Sequence, residues 1–286
     1  MLEATLPTAT PCKADFRFSE QDFQAIARML RAEAGISLPA GKSTLVYARL
    51  TKRLRALGVT SFEEYVAHVS SADGAGERRN MVAALTTNVT RFFREPHHFE
   101  HLHSTVLPKL LREAARGSRR IRLWSAACSS GQEAYSLAAV VADLMRQGPT
   151  FDIRILATDI DPVVLQQAQA GRYASLEGVP SVFRRWFEQD GTAWTASQRL
   201  RNLVSFKSLN LAKPWPVRGP FDAVLCRNVA IYFDADVQSR LWQGFASVIA
   251  PGGMLYIGHS ERLSAPAADE FDNVGITTYC RRGVRR

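Results

Sequence analysis

The chain has 286 residues, 46% of them hydrophobic and 22% charged, the balance of one large or two small globular domains and not of a disordered chain. Lysine and arginine outnumber aspartate and glutamate by 36 to 27, and the resulting +9 favours acidic partners without saying whether they carry phosphates or carboxylates. The longest uninterrupted aliphatic run, Leu137 to Ala142, falls far short of the roughly 20 residues a bilayer requires, so no membrane insertion is expected. No secretory signal opens the chain, and the four cysteines (Cys12, Cys128, Cys226, Cys280) form no Cys-x-x-Cys pair. Both features point to a cytoplasmic protein with reduced thiols and no thiolate zinc site.

Residues 1–15 lack periodicity and read as a frayed arm. Ser19-Glu20-Gln21-Asp22 then has the spacing of a capping box, and Phe23, Ile26, Ala27 and Leu30 follow at helical intervals until Gly35 stops the helix. A second box, Ser61-Phe62-Glu63-Glu64, leads into Tyr65, Val66 and Val69, and Gly74 and Gly76 mark a connection before a helix through Met81 to Leu85. Residues 16–90 are therefore expected to form an all-helical domain. Between the boxes, Ala34 to Phe62 holds no acidic residue, while Lys42, Arg49, Lys52, Arg53 and Arg55 carry +5. At about 100° per residue, Val46, Leu50, Leu54 and Leu57 share one face and Arg49, Lys52, Arg53 and Arg55 cover the other. Such a face is either a solvated surface or, because nothing nearby in sequence neutralises it, a docking surface for an acidic partner.

From Ile121 the pattern changes to short apolar runs alternating with helical segments, as in a doubly wound α/β sheet. Strands are predicted at 121–125, 153–158, 203–207, 223–226 and 254–257. A last strand at 277–281 lies close to Gly275 without an intervening helix, which suggests an antiparallel closing pair. The first strand opens into a turn of small residues, 126–131, ahead of a helix near Gln132, where backbone can approach a ligand closely. The second ends in Asp159, placed to accept from both hydroxyls of a ribose, and Asp161-Pro162 can start the next helix. Gly131 stands alone, so the turn does not match Gly-x-Gly-x-x-Gly, and a nucleoside without a pyrophosphate fits better than NAD. His97, His98, His101 and His103 include an i, i+4 pair, but carboxylate spacing favours a polar helix face over a metal site, and no metal is expected.

Several blocks resemble one family. Asn88-Val89-Thr90-Arg91-Phe92-Phe93-Arg94-Glu95-Pro96-His97-His98-Phe99 is similar to the TNxTxFFRExxxF block of the bacterial chemotaxis receptor methyltransferases, the CheR family. Trp124-Ser125-Ala126-Ala127-Cys128-Ser129-Ser130-Gly131-Gln132-Glu133-Ala134-Tyr135-Ser136 resembles its WSAAxSxGEEPYS loop, with Gln132 in place of a Glu and Ala134 in place of a Pro. Ala157-Thr158-Asp159-Ile160-Asp161, Ser208-Leu209-Asn210-Leu211 and 226–233 (Cys-Arg-Asn-Val-Ala-Ile-Tyr-Phe) complete the set in family order, from about Phe18 to Arg281.

The resemblance implies a methyltransferase-type sheet over 91–286, with a small β insertion near 187–208, preceded by the helical domain as receptor-docking module. It implies S-adenosylmethionine as methyl donor, S-adenosylhomocysteine as product, and receptor glutamate side chains as acceptors. The implied cofactor contacts are Asn88, Thr90, Arg94, Glu133, Asp159, Asn210, Leu211, Arg227 and Asn228. Arg94 and Tyr232 are implied at the reacting groups, Glu133 at the donor's ammonium, Asp159 at the ribose and Asn210 at the adenine edge. The implied partners are cytoplasmic domains of chemotaxis receptors, docked on Arg49, Lys52, Arg53 and Arg55, with the enzyme a monomer and nucleic acid no partner.

Two rival readings follow from the same residues. A nucleic-acid methyltransferase would use the charge and Lys109, Arg112, Arg116, Arg119, Arg120 and Arg122, but the chain has Arg227-Asn228-Val229-Ala230 where amino-group methylases of bases carry Asn/Asp-Pro-Pro-aromatic. A non-catalytic receptor-binding module would be expected to have lost Arg94, Asp159, Arg227, Asn228 or Tyr232. Some family members hold a receptor's C-terminal pentapeptide at the β insertion by strand addition. Here the loop 190–193 has a single glycine and Trp194 beside it, which predicts that the peptide is not bound.

Overall fold

The computed structural model describes residues 16–117, 120–146 and 151–283. The expected arm over 1–15 and Arg119 lie outside these residues. The chain divides into two compact units: residues up to Met29 with Pro39–Leu85, and Leu30–Leu38 with Thr86 onward.

The first unit holds most of α1 (Glu20–Ala34), followed by α2 (Ser43–Leu57), α3 (Phe62–Ser70) and α4 (Ala75–Leu85). Both capping boxes form. The Ser19 and Asp22 backbone N–H groups each donate to the other's side chain. Ser61 Oγ accepts from Glu64 N, while Glu64 reaches one residue further back, to Thr60 N. Gly35 at φ 70 and Gly58 at φ 69 end α1 and α2 in the left-handed region, where glycine pays no Cβ penalty. Gly76, expected in a connection, lies inside α4. Val46, Leu50 and Leu54 are buried as the periodicity predicts, but Leu57, in the last turn of α2, is 41% exposed.

The basic face of α2 needs correcting. Arg53 forms a two-point ion pair with Glu77 of α4, Nε to Oε1 at 2.9 Å and Nη2 to Oε2 at 2.6 Å. Tyr65 Oη and Asn80 Nδ2 also donate to that carboxylate, which is 5% exposed. Burial alone would raise the Glu77 pKa; the bonds from Arg53, Asn80 and Tyr65 outweigh it and hold the carboxyl below its usual range. Arg49 Nη1 donates to the carbonyl of Leu85 at the end of α4. The acidic partner missing from the local sequence thus arrives from another helix. Arg49 and Arg53 brace the helical unit, and of the four residues only Lys52 and Arg55 remain exposed, Arg55 lying over the Phe16 ring.

In the second unit, α5 (Pro96–His101) continues through a π turn into α6 (Leu107–Ala115). Then β1 (Ile121–Ala126), α7 (Gln132–Leu144), β2 (Ile153–Asp159) and α8 (Pro162–Ala170) alternate. After β3 (Arg172–Tyr173), β4 (Phe187–Asp190), β5 (Ala193–Ala196) and α9 (Gln198–Leu203) come β6 (Val204–Ser208), β7 (Phe221–Cys226), α10 (Ala235–Val248), β8 (Ile249–Ile257), β9 (Phe271–Gly275) and β10 (Thr278–Arg281). The main sheet has the order β6-β2-β1-β7-β8-β10-β9. Its first five strands are parallel, and β10 runs antiparallel to β8 and β9, the expected closing pair. Strand order reverses at β1, and ligands of open parallel sheets bind outside the carboxyl ends at such a switch point. Helix α7 is buried from Glu133 to Ala142, which explains the aliphatic run read from the sequence.

The insertion is a separate sheet of order β3-β5-β4 that ends at Ala196, short of the bound near 208; residues 204–208 are the edge strand of the main sheet, matching the strand expected at 203–207. Trp194 lies on its central strand, opposite Gln189 and Tyr173, so it does not crowd a free edge as the sequence suggested. No helix among the described residues is long and apolar enough to cross a membrane.

Candidate functional site

Three loops meet at the carboxyl ends of β1, β2 and β7. Five of the six described non-glycine residues in the left-handed region lie in these loops and the 88–99 block: Phe93, Glu95, Ala127, Ser129 and Asn228, with φ between 49° and 70°. Such conformations cost about 1–3 kcal/mol each and persist where surrounding bonds enforce them. Those bonds can be traced residue by residue.

The turn after β1 closes around Asp159. Its Oδ2 accepts from Ser129 N at 2.8 Å and its Oδ1 from Asp161 N at 3.0 Å. Burial pushes this carboxyl's pKa up against those two bonds. Asp159 therefore clamps two turns together, where the sequence suggested a carboxylate with both oxygens turned to a ribose. Asp161 caps α8 through Val163 N and accepts from Asn88 Nδ2 at 2.7 Å, and Ser129 Oγ donates to the Asn88 carbonyl. The Asn88 block is thereby tied to both turns. Gly131, at φ 94, starts α7; a Cβ there would lie 2.9 Å from Ala168 Cβ and Tyr173 Oη.

The loop after β7 begins with Arg227, 2% exposed at its side chain, whose Nε donates to Glu133 Oε2 at 2.7 Å. Ser125 Oγ donates to Glu133 Oε1 at 2.6 Å, so both carboxylate oxygens have partners. Arg227 Nη1 donates to the Arg94 carbonyl and lies 3.3 Å from His98 Nδ1 and 3.7 Å from Glu95 Oε2, with the guanidinium over the Phe99 ring. A buried guanidinium held by this many partners cannot swing onto an acceptor carboxylate. The half-buried Arg94, which donates to the Val89 carbonyl, can. Of these two arginines, Arg227 is buried and Arg94 is half-buried.

Four further residues of the implied site can be placed by their burial and bonds. Asn210 Nδ2 donates to the Glu33 carbonyl at 2.6 Å and its Oδ1 accepts from Ala212 N, so its amide already braces backbone instead of facing an adenine edge. Leu211 is buried and its carbonyl accepts from Trp215 Nε1. Tyr232 is half-buried, with its carbonyl accepting from Ser37 N, and Thr90 is half-buried in the block itself.

The histidines are not a polar helix face. His98 is fully buried, and burial, then the Arg227 charge, push its pKa down to about 3. His101 Nδ1 meets Tyr256 Oη at 2.9 Å instead of joining His97 in a ligand pair. Glu95, His97 and His98 do each bring one potential ligand atom within 4.8 Å of the others. The Arg227 guanidinium already supplies positive charge beside Glu95 Oε2 and His98 Nδ1, which fits an ion-pair network better than a bound cation. Glu95 faces Arg227 and His259, not Arg94, and despite its burial the Arg227 charge and the His259 bonds keep its pKa low.

Sequence reasoning missed Glu95, His98, Ser125 and Glu261. Glu95 sits inside the block that signals Arg94, but nothing in the block shows which residue it pairs with. Nothing in the spacing of Gly258-His259-Ser260-Glu261 announces a buried carboxylate.

The donor set suits S-adenosylmethionine. An amino acid's ammonium needs a carboxylate, its carboxylate needs a cation or N–H donors, and ribose hydroxyls need acceptors; Glu133, Arg94 and the Asp159–Ser129 turn offer these at the carboxyl end of one sheet.

The comparisons with known proteins agree with this geometry. The family described as "CheR methyltransferase, SAM binding domain" matches residues 88–280, and "CheR methyltransferase, all-alpha domain" matches 21–86. The chain is 50% identical over 258 residues to the probable chemotaxis protein methyltransferase of Rhizobium etli, covering 88% of this chain and 96% of that one. It is 38% identical to chemotaxis protein methyltransferase 2 of Pseudomonas aeruginosa over 96% of this chain and 99% of that one. It is 40% identical to the chemotaxis protein methyltransferase of Escherichia coli over 86% of each. A helical unit, a switch-point site fitted to a charged nucleoside and matches along nearly the whole chain lead to one assignment: the protein belongs to the CheR family of S-adenosylmethionine-dependent chemotaxis methyltransferases.

Proposed function

We propose that this protein transfers the methyl group of S-adenosylmethionine to glutamate side chains in the cytoplasmic domains of chemotaxis receptors, forming glutamyl methyl esters. The cofactor, when bound, supplies a methyl group on a sulfonium. A glutamate with a pKa of about 4.3 is ionised at neutral pH, so its attack needs no general base. The observation that carries this reading is the donor and acceptor set at the strand ends, Glu133 held by Arg227 and Ser125 with the half-buried Arg94 close by, and the buried groups around it fit the same chemistry. His98 is driven to a pKa of about 3, and the Cys128 and Cys226 thiols are raised well above their usual range by burial. These groups are poor bases and poor nucleophiles, which suits an acceptor that arrives already ionised and disfavours a cysteine-dependent pyrimidine methylase.

The chain's own contribution is then positioning and exclusion of water. Arg94 orients the acceptor carboxylate through its planar fork, with Tyr232 beside the reacting groups. Too tight a hold would quench the nucleophile, so Arg94 serves alignment more than neutralisation. Glu133 receives the donor's ammonium on its remaining lone pairs while Arg227 and Ser125 hold the carboxylate in place. Asn88, Thr90 and Asn228 line the same edge, and Leu211 and the backbone near Asn210 border the base. Lys52 and Arg55 form the exposed part of a docking face for acidic receptor helices.

Methylation does not depend on a receptor C-terminal pentapeptide. The hairpin of the insertion closes with only Gly191 and Thr192 between β4 and β5, leaving no long glycine-rich loop to open an edge. Tritiated cofactor incubated with a panel of receptor cytoplasmic domains, with and without such tails, tests both statements. Base-labile label on tail-less receptors is the expected result. Label on RNA instead, or none anywhere despite cofactor binding, would favour the rival readings. Micromolar binding of the free pentapeptide, with methylation lost when the tail is removed, would overturn the tail-independent one.

A further inference from the structure

Glu261 is 3% exposed, yet its carboxylate faces no cationic side chain among the described residues. Its Oε1 accepts from Val229 N at 2.9 Å and Ala230 N at 2.8 Å, and its Oε2 from Asn228 N at 3.0 Å and Gly258 N at 2.5 Å. Arg262, next in sequence, sends its Nη1 to the Glu261 backbone carbonyl and not to the carboxylate. Four backbone donors from two loops thus converge on one buried carboxylate.

Burying a charge without a counter-ion is costly, and truncating such a network leaves its donors unpaired. What the carboxylate secures is the course of the chain after β7. Asn228 sits at φ 60, in the left-handed region, and Glu261 grips the N–H groups of Asn228 and of both residues after it. Gly258 fits the same scheme. A Cβ there would lie 2.5 Å from Asn228 Nδ2 and 2.8 Å from both Asn228 N and Glu261 Oε2, so only bare backbone lets the two loops close. The Asn228 amide, held from beneath, also reaches Glu95 Oε1 at 3.5 Å.

We infer that Glu261 is a positioning residue for methyl transfer: its carboxylate fixes the Asn228–Ala230 turn so that the Asn228 amide meets the cofactor. This rests on the proposal that Asn228 contacts S-adenosylmethionine. Glu261 touches neither substrate nor cofactor and acts through Asn228. Charge and hydrogen-bond number are both required, because a neutral amide of the same size offers one acceptor oxygen and turns N–H groups toward the other pair of donors.

The test is a double-mutant cycle on the full chain, read by calorimetric titration of S-adenosylhomocysteine. Glu261→Gln should weaken binding at least tenfold, and Asn228→Ala by a similar factor. In the Asn228→Ala background Glu261→Gln should add less than twofold, because the group it positions is gone. A purely structural role predicts that the two factors multiply, and that outcome, or Glu261→Gln binding within twofold of the parent, overturns the inference. Should Glu261→Gln fail to fold, Gly258→Ala disturbs the same turn from the other loop and should reproduce both the loss and its dependence on Asn228. A parent protein that does not bind S-adenosylhomocysteine would instead overturn the cofactor reading itself, and this inference with it.

Discussion

Arg227 Nε lies 2.7 Å from Glu133 Oε2, joining residues 94 positions apart into an ion pair that is buried on both sides. Removing one member of such a pair strands the other charge in low dielectric, at a cost of about 3–5 kcal/mol. Arg227→Ala should therefore lower stability by about that amount in urea titrations and abolish cofactor binding, with Glu133→Ala matching it on both counts. Full stability in either variant would show that the pair is not the brace described here.

Arg94 presents the opposite case. Its guanidinium is half-buried and, among the described residues, bonded to the Val89 carbonyl alone, so Arg94→Ala should leave stability within about 1 kcal/mol of the parent while methyl incorporation disappears. Arg94→Lys keeps the charge without the planar fork and should rescue little. Near-normal turnover in a folded Arg94→Ala protein would remove Arg94 from the site.

Charge reversal on α2 separates bracing from docking. Arg53→Glu sets two carboxylates against each other beside Tyr65, and the helical unit should lose stability with or without receptor present. Lys52→Glu with Arg55→Glu should leave the melting temperature almost unchanged, raise the Michaelis constant for receptor and spare donor affinity. Wild-type activity should fall with added salt, since exposed charges are screened beyond about 8–10 Å. Unaffected Lys52/Arg55 variants and a salt-insensitive rate would leave α2 a solvated face.

His98 sets a pH dependence whose sign can be worked out. Its folded pKa, about 3, lies below the unfolded value of about 6.5, so between these values the unfolded chain binds a proton that the folded one refuses. Its contribution is complete above pH 6.5 and declines as pH falls, by about 2 kcal/mol at pH 5. Asp159 and Glu261, raised by burial, work in the other sense, losing their contribution as pH rises through their folded values. Comparing His98→Gln with the parent isolates the histidine: the variant's stability should fall less between pH 7 and 5. Parallel curves would place a charged His98 in the folded protein.

Much of the architecture is legible in the residue pattern because it rests on local rules. The capping boxes at Ser19 and Ser61, the glycine stop at Gly35 and the alternating apolar runs after Ile121 each act over a few residues, and each appears where the spacing places it. The short strands are not legible in the residue pattern, and the insertion near 187–208 is expected from the resemblance alone: β3, β4 and β5 are two to four residues long, β9 has only Phe271 buried, and none carries the alternation that marks a half-buried strand. The chemistry-bearing residues were legible as types and blocks but not as partners. Asp159 holds Ser129 from 30 positions away, Arg227 holds Glu133 from 94, and Glu261 holds Asn228 from 33. A sequence states which residues could pair. Which pairs form is decided when strand order and burial bring distant carboxylates and donors into one low-dielectric site, where each must find a partner. That is why Arg53, a docking residue by its helical face, is a brace by its tertiary contacts, and why Arg227 is locked in a buried ion pair while Arg94 stays half-buried.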